Sequence, residues 1–482
     1  MNGEKLYSIF KKLSPYELSG FNEFVQSPFF NKHAPTINVV ELIVKAIRNK
    51  AFDDLNEHKL FHKLFPKEAF NTQKLNDLYS AVNKLMDVYL SFLQFQKNAT
   101  QNSIGLIQQY LDRDLTTHYK TEISRLKKRK TEIHASEEYY NNYLIENSAD
   151  QFFIRQRTRK ADQSLQLKAN NIDLFFLSIK LKLFCEMLNR ANVIDTKYDL
   201  KFQQEIIQYI KTNIAFFEHE PIIYVYYLIY NTLVDGSNEE HYFLLKKTLN
   251  KTVQLFDKTE AKSLFDYAEN YCIKKINSGK SDYLKELLSI YKMLIEKQLL
   301  YTGDYLSPLD YKNIVTLGLR NHEVKWTKQF IEHYKNKIEP EFAENAYTYN
   351  LANFYYETKE YKQAAKLLQQ VEFTDISYTA GAKFILLKIY FEQNEVDALY
   401  SVIDSFRVYL VRNKLISRYQ RDAYIHFLVL TKQIFSAKEK ILENKRIKKE
   451  AVILKINQKI AAVKNVSNLG WIQEKIKELA AL

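Results

Sequence analysis

Gly279-Lys280-Ser281 has the residues that close a phosphate-binding loop. That chemistry needs a second glycine five residues earlier, where Lys274 stands, and a strand before the loop so that backbone N–H groups can cradle phosphate. The residues before it, Cys272–Ile276, follow a helical pattern, so the tripeptide reads as a helix end with Ser281 capping the next helix. His58 and His62 are four apart, a spacing that can place two imidazoles on one metal. A structural metal site needs further ligands, and Lys59 and Lys63 flank the pair instead, so a solvated helix face is the expectation. Cys185 and Cys272 are the only cysteines, each within a helical pattern. They are expected as buried thiols, without a disulfide framework or a catalytic-thiol signature. No Gly-x-Ser-x-Gly elbow is present. Acidic pairs are plentiful, and on helices they serve as i,i+4 salt-bridge partners. The expectation is a non-enzymatic chain that needs no cofactor and no metal.

Charge supplies the strongest remaining signal. The 482 residues carry a net charge of +13, and Lys432–Asn465 alone holds ten Lys or Arg against three Glu. Proteins that grip single strands interleave such charge with aromatics that stack on bases. None lies between Phe435 and Trp471, so a solvated Lys-rich helix is the expectation. Generic attraction to nucleic-acid phosphate remains the alternative.

These side chains must be positioned by helices. Nine Gly and seven Pro in 482 residues leave little material for hairpins, while 31 Phe and 35 Tyr supply bulk for helix–helix contacts. The N-terminus lacks the apolar core of a signal peptide, and the longest apolar stretch, Ile222–Val234, is too short to span a bilayer. A soluble, cytoplasmic, all-α protein follows. Ser14-Pro15-Tyr16-Glu17 is a capping box that starts a helix ending at Ser27-Pro28. Asn71 caps a long helix, Thr72–Gln96. Ile104, Ile107, Leu111, Leu115, Tyr119, Ile123 and Leu126 form one stripe, read as one helix. A second charged helix is expected over Glu137–Lys160. Helix pairs succeed one another from Asn171, with Pro221 opening a helix that is apolar nearly all round. Four segments result: a helical N-terminal domain (1–97), a long charged helical pair (98–168), helical repeats (169–443), and a basic helix with a terminal capping helix (444–482).

Within the third segment, Leu351, Tyr355, Tyr361, Ala364 and Leu368 fall where a tetratricopeptide helix pair places its core. Ile385, Ile389, Glu395, Ala398 and Val402 repeat the pattern 34 residues on. SPFFNK (27–32), ENYCIKKINSG (269–279), SPLDYKNIVTLGLR (307–320) and WIQEKIKEL (471–479) resemble, in order, segments of a family of large bacterial all-helical repeat proteins. The resemblance implies an architecture and brings no activity with it. The expected fold is a right-handed α-solenoid of tetratricopeptide-like antiparallel helix pairs behind a helical N-terminal domain.

In such stacks the first helices line a concave groove. Leu351 and Tyr355 point into the core, so Tyr349, Asn353 and Tyr356 form the groove stripe. With a 34-residue period, Lys383, Leu387 and Tyr390 continue it. Phenols, an amide and an ammonium suit a peptide or partner protein, so the expected function is an interaction scaffold that binds such a partner in the groove. The alternative is a nucleic-acid-associated regulator that uses the N-terminal helices and the basic tail. No membrane partner is expected.

Overall fold

The computed structural model describes residues 2–49, 56–129, 133–157, 161–193, 196–369, 371, 376–443, 449–462 and 465–481. These residues form twenty-four α-helices, two short 3-10 turns and one two-stranded hairpin. The fold is all-α. No described helix is long and apolar enough to cross a membrane. The chain divides into two compact units, Met1–Leu183 and Phe184–Leu482.

The first unit opens with α1 (Asn2–Phe10), α2 (Pro15–Gln26), α3 (Ala34–Arg48), α4 (Glu57–Leu64) and α5 (Thr72–Lys97). The capping box closes as expected: the Glu17 amide donates to Ser14 Oγ, and the Ser14 amide donates to the Glu17 carboxylate. Leu6, Phe10, Phe21, Val25, Val39, Val40, Ile43, Phe61, Val82 and Met86 share one core. At Gly20 the Tyr89 ring comes so close that a Cβ would clash with its hydroxyl, and that hydroxyl donates to Glu17 O. His58 stacks on Phe70, at 3.8 Å between centroids.

The single stripe expected from Ile104 to Leu126 is instead two helices, α6 (Ala99–Asp112) and α7 (Thr116–Lys128). Asp114 adopts a left-handed conformation (φ 53°) and Leu115 is exposed. The Leu115 amide donates to Tyr110 O and the Asp114 amide to Leu111 O, a helix-ending arrangement that does not require glycine. The periodicity survives because the chain reverses while Ile107, Leu111, Tyr119 and Leu126 still meet in one cluster with Ile145. The next helix, α8 (Ser136–Arg155), ends before the expected Lys160, and residues 158–160 lie outside the described set. α9 (Ser164–Val193) runs uninterrupted through 168–169 and carries the chain into the second unit.

That unit continues with α10 (Gln203–Thr212), α11 (Ile214–Phe217), α12 (Pro221–Val234), α13 (Glu239–Thr252), α14 (Lys258–Asn277) and α15 (Tyr283–Glu296). After a hairpin pairing Tyr301–Thr302 with Tyr305–Leu306 come α16 (Pro308–Arg320), α17 (Val324–Tyr334), α18 (Pro340–Glu357) and α19 (Tyr361–Leu368). The last helices are α20 (Ile376–Gln393), α21 (Val396–Arg412), α22 (Arg418–Leu442), α23 (Lys449–Ala462) and α24 (Leu469–Ala481). From α12 onward each helix packs on the next, and α16, α18 and α20 also pack on one another in sequence. α12 is buried on most of its circumference, as its composition predicts.

Gly279 (φ 93°) is the helix end expected of it. Its amide donates to Ile276 O and the Lys280 amide to Lys275 O. Asp282, not Ser281, occupies the cap position of α15, and it makes no side-chain cap bond. Lys280 Nζ meets Glu239 at 2.5 Å, which holds the Glu239 carboxyl down at about 2, chiefly through that hydrogen bond. Both thiols are buried: Cys185 donates to Tyr226 O and Cys272 to the Tyr242 hydroxyl. Burial raises both thiol pKa values, that of Cys272 to about 12.

The described part of the basic tail is anchored rather than free. On α23 Ile456 is buried and Val452, Ile453 and Ile460 pack on the core shared by α20, α21, α22 and α24, while Lys455 is exposed and Lys459 half-buried. Residues 444–448, where the basic run is densest, lie outside the described set.

Candidate functional site

Three alternate helices, α16, α18 and α20, end in the same way. His322 (φ 59°), Lys359 (φ 64°) and Asn394 (φ 56°) each take the left-handed conformation just past the helix. In each case the following amide, of Glu323, Glu360 or Glu395, reaches back to a carbonyl five residues earlier, with N···O distances of 2.8–2.9 Å. These turn residues fix which positions correspond on the three helices. Six residues before them stand Thr316, Asn353 and Lys388; ten before stand Lys312, Tyr349 and Phe384; two before stand Arg320, Glu357 and Glu392.

All nine line one cleft of about 860 Å³. Its far wall is α24 with its leading residues, which contributes Asn468, Trp471, Glu474, Lys475 and Glu478. α24 is fixed on its other face, where Ile472, Ile476 and Leu479 enter the core with α22. Trp471 stands against Phe391 and Phe427, at 5.1 and 5.7 Å between centroids. Its indole N–H is buried and has no hydrogen-bond partner among the described residues.

This alignment revises the predicted stripe. Tyr349, Asn353 and Tyr356 line the cleft; Lys383, Leu387 and Tyr390 do not. Leu387 is fully buried, Tyr390 packs against the core cluster, and Lys383 is half-buried, with burial lowering its pKa. Lys359 and Asn394, the matching turn residues, are 35 apart rather than 34, and one residue rotates a helix by about 100°. The same slip replaces Ala398 and Val402, both half-buried, with Leu399 and Ile403 as partners of the buried Ala364 and Leu368. No glycine marks either turn, so the sequence offered no fixed point from which to count. Tyr349 forms floor rather than rim: it is 4 % exposed, its ring meets Tyr378 edge-on at 4.9 Å, and its hydroxyl end lies over Gly381.

Lys388 is the most unusual group in the cleft. Its ammonium donates to Asn468 Oδ1 at 2.8 Å and lies 5.9 Å from the ring centres of both Tyr356 and Trp471. Among the described residues no carboxylate comes within ion-pair distance of it. Burial lowers its pKa to about 8, against the weaker opposing pull of Glu357 and Glu474. Desolvation in turn raises the Glu357 carboxyl, although Lys388 and Arg320 act against it. Lys475, 5 % exposed, is fully engaged, with Glu392 and Glu478 each at 2.7 Å. Lys312 lies between two rings, 5.2 Å from Tyr349 and 5.3 Å from Tyr378. The cleft therefore combines aromatic walls with charged groups of both signs, and Lys388 has no ion-pair partner among the described residues. Such a surface suits a ligand that has its own charges to contribute. The equivalence of Lys388 and Asn353 follows from the turn register, while the Asn468 contact, 80 residues along the chain, left no trace in local sequence.

Comparison with protein-family models, curated proteins and solved structures finds no match for this chain.

Proposed function

We propose that the protein is a non-enzymatic interaction scaffold: a right-handed, tetratricopeptide-like α-solenoid whose concave groove takes an extended peptide or a segment of a partner protein. One observation carries this reading. Corresponding positions of α16, α18 and α20 converge on a single cleft instead of being scattered around the helices. Successive first helices lining one groove is how helical-repeat proteins present a binding face. In this reading Tyr356 and Trp471 supply flat contact area at small entropic cost. Asn353 offers an amide to a peptide backbone, and Arg320 and Lys388 meet an acidic side chain of the ligand.

The test is a binding measurement with partner segments recovered by peptide display on the purified protein. The double change Asn353→Ala and Lys388→Met should weaken the selected peptides by more than about 1 kcal/mol, roughly fivefold or more, with the helical content unchanged. Lys383→Glu, off the groove, should bind as wild type does. Equal binding by the double variant would remove the peptide from this cleft.

A further inference from the structure

Lys388 has features that reversible peptide binding does not require. Its amine projects into a cleft large enough for a small metabolite, is bonded to a neutral amide oxygen rather than a carboxylate, and has aromatic rings on two sides. A lysine desolvated in such surroundings is how proteins obtain a nucleophilic amine. The charged groups that line the cleft with it are Lys312 and Arg320 on α16, Glu357 and Lys359 at the end of α18, Glu392 on its own helix, and Glu474, Lys475 and Glu478 on α24. Glu392 is already spent on Lys475. Glu474 also stands within ion-pair distance of Lys475, at 3.9 Å, so Glu357 is left to receive and return protons beside the amine, and Arg320 to hold an anionic group.

We propose that Lys388 is a carbonyl-condensing site, where the amine forms an imine with a small aldehyde or α-keto compound that also carries an acidic group. The neutral Nζ adds to the carbonyl carbon, forming the C–N bond while the oxygen takes up a proton. The carbinolamine then loses its hydroxyl as water and nitrogen gives up its remaining proton, so that amine and carbonyl yield imine and one water with no change in oxidation state. This activity is stoichiometric and is read on the unoccupied protein, since a peptide acid held by Lys388 would compete for the same amine.

The experiment exposes the intact wild-type protein at pH 7 to glyoxylate or to propanal, with cyanoborohydride to reduce any imine, and maps the alkylated lysines by mass spectrometry. With a pKa of about 8, Lys388 holds roughly 200 times the free-amine fraction of an ordinary lysine near 10.4 at that pH. Lower basicity takes back part of that advantage. Labelling of Lys388 at least about tenfold faster than the exposed lysines is expected, comparable with the N-terminal amine, whose ordinary pKa is similar. Glyoxylate should favour Lys388 over the N-terminus more than propanal does, and Arg320→Gln should erase that preference. Lys388 labelling no faster than the exposed lysines overturns the proposal. Equal preference for the two aldehydes overturns the acidic-ligand half of it.

Discussion

Gly381→Ala probes the seam that builds the cleft floor. An ideal Cβ at this position would stand 2.9 Å from Tyr349 Cζ and 3.0 Å from Cε2, with the hydroxyl oxygen closer still. The ring cannot swing clear, since Tyr378 meets it at 4.9 Å and only 4 % of Tyr349 is exposed. Overpacking of this kind costs about 1–3 kcal/mol. Replacing glycine within a helix returns up to about 1 kcal/mol, so a net loss of about 1–2 kcal/mol is expected in the second unit. Urea unfolding followed by tyrosine fluorescence measures it. Tyr349→Phe removes the nearest atom, and Gly381→Ala combined with it should show a coupling of at least about 0.5 kcal/mol. A Gly381→Ala protein as stable as wild type, or a cost that Tyr349→Phe leaves untouched, would refute the claim that α18 and α20 are held together by this contact.

Lys388→Met should stabilise the protein by on the order of 1–3 kcal/mol at pH 7. The folded-state pKa near 8 lies below the unfolded value, so the unfolded chain binds more protons and wild-type stability rises between about pH 8 and pH 10.5. The gap between variant and wild type should therefore narrow over that window in parallel denaturation curves. Ala364→Leu, at a fully buried position of α19, should cost about 1–3 kcal/mol by overpacking, while Ala398→Leu on the half-buried side of α21 should cost less, read by the same unfolding assay. Lys280→Ala should leave the thermal midpoint and nucleotide binding at wild-type levels, because Gly279-Lys280-Ser281 is a helix end; nucleotide binding lost in this variant would contradict that assignment.

Helix starts were legible wherever side chains enforce them. Ser14 with Glu17, Asn71 before α5 and Pro221 before α12 all act where the sequence puts them. Helix ends were legible at Ser27-Pro28 and Gly279 but not at Asp114, His322, Lys359 and Asn394, which turn the chain in left-handed conformations that carry no glycine signature. A turn hidden in that way merged α6 with α7 in the sequence reading. Another shifted the groove stripe by one residue, enough to bury Leu387 where a contact residue was expected. Half of the candidate site, Tyr349, Asn353 and Tyr356, was therefore readable from local periodicity. Lys388 required the turn register, and the α24 wall with Asn468 and Trp471 required tertiary structure.

Site-specific photocrosslinking in the native cell tests the groove assignment most directly. A benzophenone amino acid placed at Tyr356, on the cleft wall, and at Lys362, on the exposed side of α19, would report which surface a partner touches. The account predicts discrete adducts from position 356 that disappear when Asn353→Ala and Lys388→Met are added, and none of those adducts from position 362. Adducts from 362 alone, or adducts from 356 that persist in the groove variant, would contradict it.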